Sequence, residues 1–193
     1  MKLRLIPLAL AIAIGSQSAP VSQQTLIGKP VGSLSLLDLD GRIARYSPAE
    51  KRVAVVVFIS NRCPMSNAFN YRLNELYKDF KSQVQFLVVN SNANESLDEV
   101  RHHSQEMGYD FMVYKDLNNT VADLLGAQAT PEAFAIDREG LVMYHGNIED
   151  SPNPQRAKQH SLRMAIEAML DGKPVPIPET HFLGCALRRA RPR

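Results

Sequence analysis

Val53-Ala54-Val55-Val56-Val57-Phe58-Ile59-Ser60-Asn61-Arg62-Cys63-Pro64-Met65-Ser66-Asn67 is the stretch on which the reading of this chain turns. From Arg52 to Ile59 it is almost purely apolar and rich in β-branched residues, the pattern of a central strand buried on both faces. Pro64 suits the first turn of a helix, where its missing N–H is not needed. Phe69, Leu73, Leu76 and Phe80 then recur at helical spacing and should face the core. Cys63 therefore stands at a strand-to-helix junction, with its sulfur toward the unpaired N–H groups that open the helix. Those groups and the helix dipole favour a thiolate, the form that attacks disulfides and peroxides. The chain holds one other cysteine, Cys185.

Outward from this junction the elements fall into a simple order. Leu34 to Leu37 and Ile43 to Tyr46 flank Asp38-Leu39-Asp40-Gly41 and predict a β-hairpin. Val84 to Val89 is a second buried strand. Ser96 to Met107 reads as a polar helix closed by Gly108, and Thr120 to Leu125 as a short helix ended by Gly126. Ala133 to Asp137 and Leu141 to His145 flank the turn Asp137-Arg138-Glu139-Gly140 and predict an antiparallel hairpin. Asn153-Pro154 is expected to open a last helix through Leu162, Ile166 and Met169, ended by Gly172. Pro174, Pro176 and Pro178 make Lys173 to Pro178 extended, which leaves Cys185 on a tail beyond that helix.

The first residues read as an export leader. Lys2 and Arg4 form a basic start, Leu5 to Ile14 an apolar stretch, and Gly15 to Ala19 a small-residue cleavage region. The apolar stretch is shorter than the roughly 20 residues a membrane span needs, so no stable membrane insertion is expected once the leader is removed. Residues 1–18 are thus expected to be a signal peptide and 19–27 a linker, with an exported, periplasmic or secreted product. About 175 residues remain, enough for a single domain with a sizeable core. Losing Lys2 and Arg4 takes the formal charge from +2 to zero. Arg188, Arg189, Arg191 and Arg193 crowd the last six positions, so the body before them is acidic and nothing points to nucleic acid. That basic end reads as a solvated tail. In an oxidising compartment two cysteines can pair, whereas a structural zinc site would need about four Cys or His ligands.

Strand, helix, strand, helix, hairpin and final helix is the order of the thioredoxin fold. Phe58, Cys63-Pro64-Met65-Ser66-Asn67, Thr130-Pro131-Glu132, Gly146-Asn147-Ile148-Glu149-Asp150, Pro174-Val175-Pro176 and Gly184-Cys185 carry a closer resemblance. The stretch from about Gly28 to Lys173 resembles the alkyl hydroperoxide reductase/thiol-specific antioxidant (AhpC/TSA) family of redoxins. Within that family it resembles exported redoxins with Cys-Pro-x-Ser-Asn and a C-terminal Gly-Cys. The resemblance implies an α/β thioredoxin fold, three layers around a mixed central sheet. An N-terminal β-hairpin and a redoxin-type insert around Ser91 to Asp116 are implied additions. The domain would cover 28–173 and the tail 174–193.

The same resemblance implies roles for the residues. Phe58 and Cys63 keep the thioredoxin spacing, so Cys63 resembles the attacking cysteine, and Ser66 stands where the resolving cysteine would be. A Cys-x-x-Ser site cannot release its own mixed disulfide, so release falls to Cys185, a partner protein or a small thiol. Ser66 would donate a hydrogen bond to the Cys63 sulfur. Thr130-Pro131 resembles the cis-proline loop that packs against the active-site sulfur and shapes the substrate groove. Peroxiredoxins place an arginine where Thr130 and Pro131 stand here, which favours disulfide exchange over peroxide reduction, a step that gains from a cation.

Three outcomes stay open. The chain is a thiol–disulfide oxidoreductase with Cys185 as resolving partner, a thiol peroxidase, or a binding scaffold stapled by Cys63 and Cys185. The expected partners are protein or small-molecule thiols and disulfides. Met65 with His102, His103 and His181 offers soft ligands, but Asn67 stands where exported copper chaperones of this fold carry a second cysteine. No metal or other cofactor is expected. His102 and His103 read as helix surface, His145 and His160 carry no spacing signal, and Glu149 and Asp150 read as solvated.

Overall fold

A computed structural model describes residues 25–47 and 51–190; the expected leader over 1–18 lies outside them. The chain runs through β1 (Leu34–Leu37), β2 (Ile43–Tyr46), β3 (Val53–Ile59), α1 (Pro64–Asn67), α2 (Asn70–Phe80) and β4 (Val84–Asn90). It continues through α3 (Leu97–Glu106), β5 (Val113–Lys115), α4 (Thr120–Leu125), β6 (Ala129–Thr130) and β7 (Glu132–Asp137). It closes with β8 (Val142–Gly146), α5 (Ser161–Leu170) and β9 (Cys185–Ala186).

Seven strands form one mixed sheet in the order β2-β1-β5-β4-β3-β7-β8. β3 lies parallel to β4 and antiparallel to β7, so its uninterrupted apolar run is flanked on both edges. Side chains alternate across a strand. Val53, Val55, Val57 and Ile59 therefore meet Leu73, Leu76 and Phe80 of α2 and Leu162 and Ile166 of α5. Ala54, Val56 and Phe58 meet Leu36, Val121, Leu125 and Phe134 on the other face. Helices cover both faces in the three-layer α/β/α arrangement of the thioredoxin fold. The N-terminal hairpin forms as read, with Leu34 opposite Tyr46, and joins the sheet where Leu37 meets Lys115.

Three local expectations change. The helix after Cys63 breaks into α1 and α2: Phe69 N–H donates to the Ser66 carbonyl at 3.0 Å, and the chain restarts with Leu73 N–H on the Phe69 carbonyl at 2.8 Å. Phe69 turns into the core, and Arg72 takes up the Ala68 carbonyl that the break leaves free, at 2.8 Å. The insert contains a strand, β5, whose three residues are too few for alternation to show in the sequence. The last helix begins at Ser161, not at Asn153. Asn153 does start a turn, with Gln155 N–H on its Oδ1 at 3.0 Å. Asp150 then draws the chain back: its N–H donates to the Gln159 carbonyl at 3.1 Å and its Oδ1 accepts from Lys158 N–H at 2.9 Å. Among the described residues, no helix is long and apolar enough to cross a membrane.

Candidate active site

Cys63 caps α1 with an extended backbone, and its sulfur accepts the Ser66 backbone N–H at 3.4 Å. The Ser66 hydroxyl is turned elsewhere: it accepts the Ser60 N–H at 3.1 Å. Ser66 thus reaches the sulfur through its amide and braces the incoming loop through its side chain. Because α1 is a single turn of four residues, local N–H groups act on the sulfur rather than the dipole of a long helix.

The loop between β3 and α1 is held by a residue the sequence reading passed over. Glu95 is 2% exposed. It accepts the Ser60 hydroxyl at 2.6 Å, the Asn61 N–H at 2.9 Å and the Asn90 side-chain amide at 2.5 Å. Lys115, also buried, donates to Asn90 Oδ1 at 2.8 Å and to the Asn92 carbonyl at 2.7 Å. Burial pushes the Lys115 ammonium below its usual range, while Glu95 and Asp116 pull it back up. Glu95 precedes the capping box of α3, in which Ser96 and Glu99 cap each other. In the sequence it looks like one more acid at a helix start.

Opposite Cys63 lies the cis Thr130-Pro131 peptide, with the Thr130 carbonyl oxygen 3.0 Å from the Cys63 sulfur. Glu132 follows it and is fully buried. One carboxylate oxygen accepts the Gln128 and Ala129 N–H groups at 2.8 and 2.9 Å, and the other pairs with His145 Nε2 at 2.8 Å. His145 stacks on Phe134 with 4.6 Å between ring centres. Glu132 thereby curls the chain that presents Thr130. A charged residue at the head of the apolar run Ala133 to Ile136 was the available signal.

Cys63 and Cys185, 122 residues apart, are joined in a disulfide with Cα atoms 5.9 Å apart, within the range such bonds span. The tail that brings Cys185 there is docked, and so is the start of the basic end, Arg188 to Ala190, which was expected to be solvated. Pro178 and Thr180 hydrogen-bond to the β8 residue His145, with the Thr180 hydroxyl on Asn147 N–H at 3.0 Å. A Cβ on Gly146, at φ +154, would run into Thr180. Further on, Cys185 pairs with Thr130 in a two-stranded ribbon, β6 with β9. Gly184 is required there because a Cβ would strike the Thr130 carbonyl. Leu187 N–H donates to Gln128, Arg188 N–H to Asn92 Oδ1 and Ala190 N–H to Asn119 Oδ1, at 2.8, 2.8 and 2.6 Å. Arg189 pairs with Asp123 at 2.5 Å.

Two hollows flank the disulfide. One, of about 400 Å³, is lined by Met65, Phe69, Pro131, Ile148, Ile177 and Leu183. At its edge Glu149 is buried rather than solvated, held by Arg72 at 2.6 Å and His160 at 2.8 Å. The other, of about 310 Å³, has both cysteines in its wall. Of the histidines weighed as soft ligands, His102 sits on an exposed face with Glu106, and His103 contacts Asn67 at 3.2 Å. Burial lowers the His103 pKa. Arg138 lies in the turn after β7, at the end of the sheet away from Cys63, since Asp137 pairs with Val53.

The AhpC/TSA family profile matches residues 27–145, more than half of the chain. Among solved structures, an uncharacterized conserved protein of Geobacillus kaustophilus is 28% identical with a TM-score of 0.80. The match covers 89% of this chain and 96% of that one. A hypothetical protein of Sinorhizobium meliloti is 29% identical with a TM-score of 0.78, over 87% of this chain and 97% of its own. The thioredoxin domain of a thiol-disulfide oxidoreductase from Bacteroides vulgatus shares the fold, at 17% identity and a TM-score of 0.54, over 63% and 89% of the two chains. No curated protein matches the chain.

Proposed function

This chain belongs to the AhpC/TSA family, and from that membership we propose that it is a thiol–disulfide oxidoreductase acting through Cys63 and Cys185. The observation that carries the reading is the disulfide itself, formed between a helix-capping cysteine and a cysteine on a docked tail. In the reduced chain the Cys63 thiolate attacks one sulfur of a partner disulfide, and the partner's other sulfur leaves as a thiolate. The Cys185 thiolate then attacks the Cys63 sulfur, the mixed disulfide breaks, and the partner departs with two thiols. Ser66 cannot perform that second step. Its amide supports the Cys63 thiolate, and Thr130 and Pro131 present backbone and ring to the partner beside the sulfur.

Export belongs to the same reading: residues 1–18 would direct the protein to an oxidising compartment, where the partners are protein or small-molecule thiols and disulfides. There 28–173 acts as the redoxin domain and 174–193 as the tail that closes the cycle.

Two neighbours of the Cys63 sulfur pull in opposite directions, the Ser66 N–H toward the thiolate and the Thr130 carbonyl toward the thiol. The decisive experiment is mass spectrometry of the protein alkylated with and without prior reduction, followed by the pH dependence of Cys63 alkylation. A reducible Cys63–Cys185 bond and a Cys63 pKa well below the unperturbed value of about 8.5 are expected. A value at or above that sinks the reading. Peroxide consumption that is lost in Cys63→Ser and stalls at sulfenic acid in Cys185→Ser would replace it with a peroxidase.

A further inference from the structure

The smaller hollow beside the disulfide differs in charge from the rest of the site. Arg62, Asn92, Glu95 and Arg188 line it together with the two cysteines. Both oxygens of Glu95 are taken by inward-facing donors, and its charge is backed by buried Lys115. Arg62 at the mouth shares an exposed ion pair with Glu99 at 2.6 Å. Arg188 is fixed by its backbone, which gives its N–H to Asn92 and takes the Ala93 N–H at 2.8 Å. Its guanidinium makes no hydrogen bond or ion pair among the described residues. The hollow therefore counts among its lining residues one with an unpaired guanidinium, beside a disulfide, in a volume of about 310 Å³. That volume sits at the small end of ligand sites and suits a small molecule, not a protein surface.

We propose that this hollow admits an anionic low-molecular-weight thiol, one carrying a carboxylate, which opens the Cys63–Cys185 disulfide; the proposal rests on the redox reading above. Cys63 is 1% exposed whereas Cys185 is partly open, so the entering thiolate meets the Cys185 sulfur. A new S–S bond forms to Cys185, the old one breaks, and its electron pair leaves on Cys63 beside the Ser66 N–H. A second thiolate attacks the sulfur of the bound thiol, releasing Cys185 as a thiolate and the small molecule as its symmetrical disulfide. Two small thiols are oxidised and one protein disulfide is reduced.

The test is the rate at which the oxidised chain is opened by 3-mercaptopropionate, 2-mercaptoethanol and cysteamine, each expressed per thiolate at low ionic strength. The anionic probe should react at least about fivefold faster than the cationic one, and the gap should shrink near 0.5 M salt. Arg62→Gln combined with Arg188→Gln should abolish the preference, while Arg42→Gln on the exposed hairpin should keep it. Equal rates, a faster cationic probe, or a preference that survives the double variant overturns the proposal and leaves the redox reading standing. A disulfide that no probe and no dithiothreitol opens under native conditions overturns the redox reading itself.

Discussion

The two halves of the disulfide are held in opposite ways. Cys63 stands in a frame built mostly by its neighbours in sequence: the end of β3, the first turn of α1, and a loop braced by buried Glu95. Cys185 is carried by a tail without helices among the described residues, held through a two-residue strand, bonds to His145, Gln128, Asn92 and Asn119, and the ion pair of Arg189 with Asp123. Opening the disulfide should leave the first sulfur where it is and free the second. In the proposed cycle Cys63 would then be the fixed nucleophile and Cys185 the mobile resolving partner.

The largest break in that asymmetry comes from removing the crosslink. A loop of 122 residues puts its contribution near 5 kcal/mol by chain entropy. Cys185→Ser should lose about that much against the oxidised chain in urea unfolding. Amide exchange should then rise across 184–190 while Ser66 and Asn67 stay protected. If the amides of 184–190 stay protected as well, the tail is held by more than its sulfur.

Attacking the other half should cost nearly as much. Glu95→Ala takes the acceptor from the Ser60 hydroxyl and the Asn61 N–H, the nearer partner from the Asn90 amide and one of the acids beside Lys115, a loss of about 3–5 kcal/mol. Unlike the loss of Cys185, it should destabilise the reduced chain as much as the oxidised one. Gly184→Ala should act only on the tail. Its Cβ meets the Thr130 carbonyl, so the oxidised form should lose about 1–3 kcal/mol and the disulfide should become easier to reduce. The reduced chain should be unaffected.

The smallest effect lies at the rim of the Cys63 frame. The Ser96 N–H and hydroxyl, then Arg62, hold the Glu99 carboxyl down to about 2. A carboxyl depressed in the folded state adds stability that is complete above about 4.5 and is lost as pH falls toward 2. Acid titration of the α3 cap should show that loss in the native chain and not in Glu99→Gln.

Much of the Cys63 half was legible. The apolar run Val53–Ile59, the proline after the cysteine and the hairpin signals are local, and each named its element almost to the residue. Thr130-Pro131 was readable as a motif, although only its place beside the sulfur gave it meaning. The tail half was not legible. Nothing in Asn92 or Asn119 announces that each accepts an N–H from a segment 96 or 71 residues away. Asn153-Pro154 misled because its helix start is genuine for one turn and is then overruled by Asp150.

By itself the sequence determined the longer strands, most of the helices, the position of one cysteine at a helix start and the absence of a second thiol at Ser66. These depend on periodicity, capping and steric preference within a few residues. Only the tertiary structure decided that the tail docks beside Thr130, that Glu95 and Glu132 are buried and paired, and that Ser66 touches the sulfur through its amide. Each of those depends on which distant groups share a space that excludes water. There a polar atom must find a partner wherever in the chain that partner lies.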